Sequence, residues 1–77
     1  MRVKILPPAG CDRSALDAGG WTELPAGATL HDALRRVRCG PVRAKLLLVS
    51  VNGERMPLYT PLHDGDVIGF FSLVTGG

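Results

Sequence analysis

Two cysteines in 77 residues are too few to build a disulfide scaffold, and Cys11 and Cys39 do not form a C-x-x-C pair. Both are read as reduced thiols of a cytoplasmic protein, with a Cys11–Cys39 disulfide as the alternative. Histidine is as scarce: His31 falls on the polar face of a helix and His63 in a turn, without the spaced partners of a zinc site. No charged leader precedes an apolar stretch, so no secretory signal is expected. The longest apolar runs are far too short to span a bilayer, and no membrane partner is expected. An excess of one charge is also missing. Nine Lys+Arg against seven Asp+Glu leave a formal charge of +2, too balanced to imply nucleic acid. The one basic cluster, Arg35, Arg36, Arg38, Arg43 and Lys45, reads as a solvated helix face and loop.

The usual signs of an enzyme are missing as well. Ser14, Ser50 and Ser72 lack the context of a nucleophile elbow, and the glycines form no phosphate loop. Asp64-Gly65-Asp66 has two carboxylates in a turn, but the remaining spacing and closing Glu of a calcium loop are absent. It reads as a tight turn with Gly65 at positive φ. Cys11 has only Arg13 nearby to lower its pKa, a weak case for a reactive thiol. No metal and no bound cofactor are therefore expected.

What the chain does have is a globular composition and a clear order of elements. Hydrophobic residues make up 45%, ordinary for a folded domain. A chain of this length buries only about 60% of its unfolded surface, so the core is modest. Residues 1–77 are expected to form a single domain with a flexible C-terminal Gly-Gly tail. Arg2-Val3-Lys4-Ile5-Leu6 alternates and predicts a half-buried strand, ended by Pro7-Pro8. Residues 7–20 form a loop with one helical turn near Ser14–Asp17, and Trp21–Leu24 a second strand antiparallel to the first. After a turn at Pro25–Ala28, Thr29 is the N-cap of a helix, with Asp32 completing a capping box. Leu30, Ala33, Leu34 and Val37 form its apolar stripe, and Gly40-Pro41 ends it.

Lys45–Val51 is a nearly continuous apolar run, which predicts a central strand covered on both faces. Asn52-Gly53 turns it into a short return strand over Glu54–Met56. After a loop over 57–65, Asp66–Val74 is the last strand. The order β-β-α-β-β-β with one amphipathic helix predicts an α+β fold, a mixed sheet packed on that helix. The expected core is Val3, Ile5, Leu24, Leu30, Leu34, Val37, Leu48, Val67 and either Ile68 or Phe70.

The last eight residues, Phe70-Phe71-Ser72-Leu73-Val74-Thr75-Gly76-Gly77, carry an apolar strand directly into two glycines. Glycine has no Cβ, so Gly76 and Gly77 suit a segment that must thread a narrow slot in another protein. A terminal carboxylate is ionised at neutral pH and is a poor electrophile. To accept sulfur or an amine it must first be activated, most simply as an acyl-adenylate. No nucleotide site is visible in this chain, so a partner must supply that step and consume the ATP. Phe70 and Phe71 point to opposite faces of a strand: one belongs to the core and the other is free for a partner. Leu73 and Met56 are further candidates for the docking patch.

Val51-Asn52-Gly53, Pro61-Leu62-His63-Asp64-Gly65-Asp66-Val67, Phe70-Phe71 and Val74-Thr75-Gly76-Gly77 together resemble the MoaD/ThiS family of sulfur-carrier proteins. The resemblance is specific in the C-terminal third and extends in pattern over the chain. It implies the β-grasp, ubiquitin-like fold. It also implies a cycle. An adenylating enzyme related to ubiquitin-activating enzymes converts Gly77 to an acyl-adenylate, and a sulfur donor converts that to a thiocarboxylate. By position, Gly77 carries the sulfur, Gly76 threads the channel, Thr75 and Val74 set the exit, and Phe71 is the partner-facing aromatic. The long 7–20 loop favours the molybdopterin-synthase (MoaD) branch, in which the tail enters a large subunit that supplies the catalytic side chains. The alternatives are the ThiS branch, with thiazole synthase as partner, another sulfur-containing product, a ubiquitin-like protein modifier, or a β-grasp binding module without chemistry. Ser72-Leu73 and Pro7-Pro8 depart from the residues usual in MoaD at those places.

Overall fold

The computed structural model describes residues 1–7, 11–38 and 47–72, with side-chain burial described for all of these but 47, 48, 71 and 72. Its elements are β1 (Arg2–Ile5), β2 (Trp21–Glu23), α1 (Leu30–Arg36), β3 (Leu47–Val51), β4 (Glu54–Arg55) and β5 (Val67–Ser72). This is the order expected from the sequence. The five strands form one sheet in the order β2-β1-β5-β3-β4. β1 and β5 run parallel, and every other pairing is antiparallel. β3 is interior, as its apolar run suggests, but the middle of the sheet belongs to β5.

The helix lies where its stripe can be buried. Leu30, Ala33, Leu34 and Val37 are all buried, in one cluster with Val3, Ile5, Val49, Val51 and Ile68 from the sheet. Pro25–Ala28 makes the preceding turn: Gly27 takes φ +87° and the Ala28 N–H donates to Pro25 O at 3.1 Å. Thr29 has extended N-cap backbone, and its N–H donates to Asp32 Oδ2 at 2.8 Å. Asp32 thus performs the return half of the capping box despite being one methylene shorter than Glu. The next two N–H groups, which have no intrahelical partner, are taken by the loop after β4. Leu30 N–H donates to Thr60 O and His31 N–H to Leu58 O, both at 2.9 Å.

At the other end the chain leaves the helix earlier than Gly40-Pro41 would suggest. Arg38 adopts φ 54° and donates its N–H to Arg35 O at 3.1 Å. Asp12 N–H takes up the Val37 carbonyl at 2.9 Å, and the Asp12 carboxylate meets Arg38 Nε at 3.3 Å. The 11–20 segment is thereby tied to the helix C-terminus. Within it, Leu16 N–H donates to Arg13 O and Gly20 N–H to Asp17 O, both at 3.0 Å, so the segment holds two tight turns instead of the one helical turn expected near Ser14–Asp17. Cys11 is half-buried against the core, while Cys39, Gly40 and Pro41 lie outside the described residues.

Among the residues whose burial is described, the core differs from expectation at Val67 and Leu62. Val67 is half-buried and outside the core cluster, whereas Ile68 is fully buried. Val49 and Val51 are the described core residues of β3; the side chain of Leu48 lies outside the described ones. Leu62, from the loop, is buried at 4% exposure. The cause at Val67 is register. Its run lacks alternation, so parity is set by pairing, which opposes Val49 to Phe70 and Val51 to Ile68. Leu62 is held inward because its N–H donates to Ala28 O at 2.9 Å, beside the Thr29–Pro61 bridge.

Candidate functional site at the base of the C-terminal tail

The tail is launched by β5, so the placement of β5 defines the site. Its start is fixed by two turns that are separate in the sequence but brought together by the fold, Asn52 of one meeting Asp66 of the other, 14 residues on. In the first, Asn52 at φ 54° and Gly53 at φ 86° close the β3–β4 hairpin, with Val51 opposite Glu54. These are the angles of a type I′ turn, for which Asn-Gly is the favoured pair. In the second, Gly65 takes φ 88°, the Asp66 N–H donates to His63 O at 3.1 Å, and the Gly65 N–H donates to Arg2 O at 2.8 Å. Asp64 Oδ1 in turn accepts the Arg2 N–H at 2.8 Å.

The turns are joined through side chains. Asn52 Nδ2 donates to Asp66 Oδ1 at 2.9 Å, and Asn52 Oδ1 accepts the Val67 N–H at 3.0 Å. The Asn52 N–H donates to Val67 O at 2.7 Å, and the other Asp66 oxygen accepts the His63 N–H at 2.7 Å. Asp66 is buried, with both oxygens engaged. The Asp-Gly-Asp segment is thus a tight turn whose carboxylates accept hydrogen bonds from the Arg2 and His63 N–H groups and from the Asn52 amide. Among the described residues no cluster of His, Cys, Asp and Glu is arranged to hold a metal ion. His63 Nδ1 stands 3.9 Å from Asp66 and is largely exposed.

From this anchor β5 runs past β1 on one side and β3 on the other. It pairs with β3 from Val51–Ile68 through Leu47–Ser72. Gly69 lies opposite Ser50, and a Cβ at Gly69 would stand 3.1 Å from Ser50 Oγ. The close pairing at this step therefore favours glycine. Phe70, one of the two aromatics in the strand, packs half-buried on the core together with Met56. Phe70 is thus the core-side member of the pair, although Ile68 is the fully buried residue. Phe71 occupies a strand position opposite Leu48; its side chain lies outside the described ones. Leu73, Val74, Thr75, Gly76 and Gly77 lie outside the described residues. The Asn52–Asp66 pairing was not expected from the sequence, although the short polar residues in both turns were the available signal.

A mixed five-stranded sheet in this order, packed on one helix, is a ubiquitin-like β-grasp fold. SAMP1 from Haloferax volcanii superposes on it with a TM-score of 0.60 at 21% sequence identity, covering 100% of this chain and 98% of that one. That likeness establishes the fold. Residues 17–77 match the model of the ThiS family. The chain belongs to that family, and is a ubiquitin-like sulfur-carrier protein of the MoaD/ThiS class. No curated protein sequence matches the chain.

Proposed function

We propose that Gly77 is the sulfur-bearing residue and that its thiocarboxylate serves molybdopterin synthesis. Family membership together with the Thr75-Gly76-Gly77 sequence carries this reading. An adenylating enzyme related to ubiquitin-activating enzymes attacks ATP with the Gly77 carboxylate, releasing pyrophosphate and leaving an acyl-adenylate. A sulfur donor then displaces AMP and leaves a terminal thiocarboxylate. Residues 73–77, fully extended, reach about 17 Å beyond Ser72, long enough to enter a partner's pocket while the folded domain stays outside. Phe71, Leu73, Val74, Thr75 and Met56 contact that partner. The protein itself binds no cofactor and is not an enzyme alone; the large subunit of the synthase contributes the catalytic side chains.

The ordered 11–20 segment, tied to the helix C-terminus through Asp12, supports the molybdopterin branch, since the ThiS branch makes a tighter hairpin there. The ThiS family match favours thiazole synthesis as the second reading. The two are separated by supplying the thiocarboxylated protein to each acceptor. Sulfur should pass to a cyclic pyranopterin in the presence of the synthase large subunit. Transfer with thiazole synthase alone would assign the second pathway.

A further inference from the structure

Arg35, Arg36 and Arg38 read from the sequence as a solvated face, but the fold makes them part of a groove. They line an open groove of about 500 Å³, completed by Ser14 and Ala15 of the 11–20 segment and by Pro25 of the turn before α1. The groove exists because Asp12 ties that segment to the end of the helix. Its N–H donates to Val37 O at 2.9 Å and its carboxylate meets Arg38 Nε at 3.3 Å.

The groove holds more hydrogen-bond donors than it can itself satisfy. Arg36 Nη2 donates to Glu23 O at 2.9 Å, and this bond, with the Arg38–Asp12 contact, anchors two of the three side chains. A guanidinium carries several N–H donors and no acceptor, so most donors on Arg36 and Arg38 stay unused. Arg35 makes no hydrogen bond or ion pair among the described residues. The two carboxylates in the groove are already engaged. Asp32 Oδ2 accepts the Thr29 N–H and Asp12 Oδ1 accepts the Ser14 N–H, each at 2.8 Å. What the groove offers a ligand is therefore positive charge on partly fixed side chains.

We propose that this groove binds a carboxylate-rich segment of a partner protein. The guanidinium fork matches a carboxylate in geometry as well as in charge, and charge complementarity sets the sign of the occupant. A polypeptide suits the groove better than a nucleic-acid strand. Asp12 and Asp32 stand among the arginines and repel an unbroken run of phosphates. A peptide can set its carboxylates apart and lay uncharged residues between them, against Ala15 and Pro25. The groove lies beside β2, at the edge of the sheet farthest from β4. The inference goes beyond the reading of Gly77 and does not rest on it.

The test uses the full chain, labelled with ¹⁵N and titrated at low salt with an end-blocked peptide alternating Glu and Ser. The Nε–Hε resonances of Arg35, Arg36 and Arg38 should shift along one common saturation curve. Arg35→Gln should weaken binding about fivefold, the upper range for one exposed ion pair. Arg55→Gln removes the same charge from β4, at the opposite edge of the sheet, and should leave the affinity unchanged. Both positions are exposed, so neither substitution should disturb folding. Equal weakening by the two substitutions reduces the binding to general attraction and overturns the site, as does the absence of shifts at the three arginines. A single-stranded oligothymidylate of the same charge that binds there more tightly than the peptide overturns the assignment to a protein partner.

Discussion

Asn52 and Asp66 are joined by a 2.9 Å hydrogen bond from Nδ2 to Oδ1, and through it the hairpin after β3 is locked to the start of β5. The same Asn52 side chain accepts the Val67 N–H. One residue therefore satisfies a buried carboxylate and sets the register of the strand that carries the tail.

Asn52→Ala should destabilise the domain by about 2–3 kcal/mol, since it leaves Asp66 Oδ1 and the Val67 N–H without the Asn52 side chain and places a Cβ-bearing residue without a local hydrogen bond at positive φ. Asn52→Gly loses the same hydrogen bonds but tolerates the backbone, and should cost about 1 kcal/mol less. Urea unfolding of the two variants separates the terms. Equal stabilities would mean that the positive φ costs nothing here.

The helix cap makes stability depend on pH. The Thr29 N–H bonded to Asp32, countered in part by burial and aided by the Thr29 hydroxyl and by Arg35, holds that carboxyl below the usual carboxylate range. A carboxyl whose folded-state pKa is depressed adds stability above its unfolded pKa and loses it as pH falls through the folded one. Asp17 behaves likewise, held down first by the Trp21 N–H. Melting temperature should therefore fall as pH drops below about 4, and Asp32→Asn should flatten that slope while lowering stability at neutral pH. An unchanged acid slope in Asp32→Asn would show that the cap does not contribute.

The aromatic pair in β5 should divide between folding and binding. Phe70 packs on the core, and Phe70→Ala should cost about 2–3 kcal/mol, with partner affinity changed only through folding. Phe71→Ala should weaken binding to the adenylating enzyme or the synthase large subunit more than it lowers stability. Parallel losses of stability and affinity at both positions would argue against a dedicated docking residue.

Most of the fold was legible because its signals are local. The stripe at Leu30, Ala33, Leu34 and Val37, the Thr29–Asp32 cap, the Asn52-Gly53 turn and the positive φ of Gly65 each follow from neighbouring residues. What escaped depends on pairing across the sheet. In Val67–Phe71 apolar residues occupy both faces, so nothing in the run tells Ile68 from Val67 as the inward residue. The partner strand decides. Leu62 escaped because loop residues carry no period, and its burial comes from a hydrogen bond to Ala28. The Asn52–Asp66 bond joins residues adjacent only after folding. At the site, Phe70 could be placed against the core, whereas residues 73–77 are known by sequence and family alone.

The sulfur-carrier chemistry proposed for this chain depends on the carboxylate of Gly77. The wild type and a Gly77 deletion are incubated with the adenylating enzyme, ATP and a sulfur donor, and intact masses are recorded. Removing the residue draws the carboxylate back by about 3.5 Å, beyond what positioning for adenylation tolerates, and leaves the core untouched. The wild type should exchange one terminal oxygen for sulfur, while the deletion should melt at the same temperature and gain none. Thiocarboxylation of the deletion at the wild-type rate would contradict the proposed chemistry.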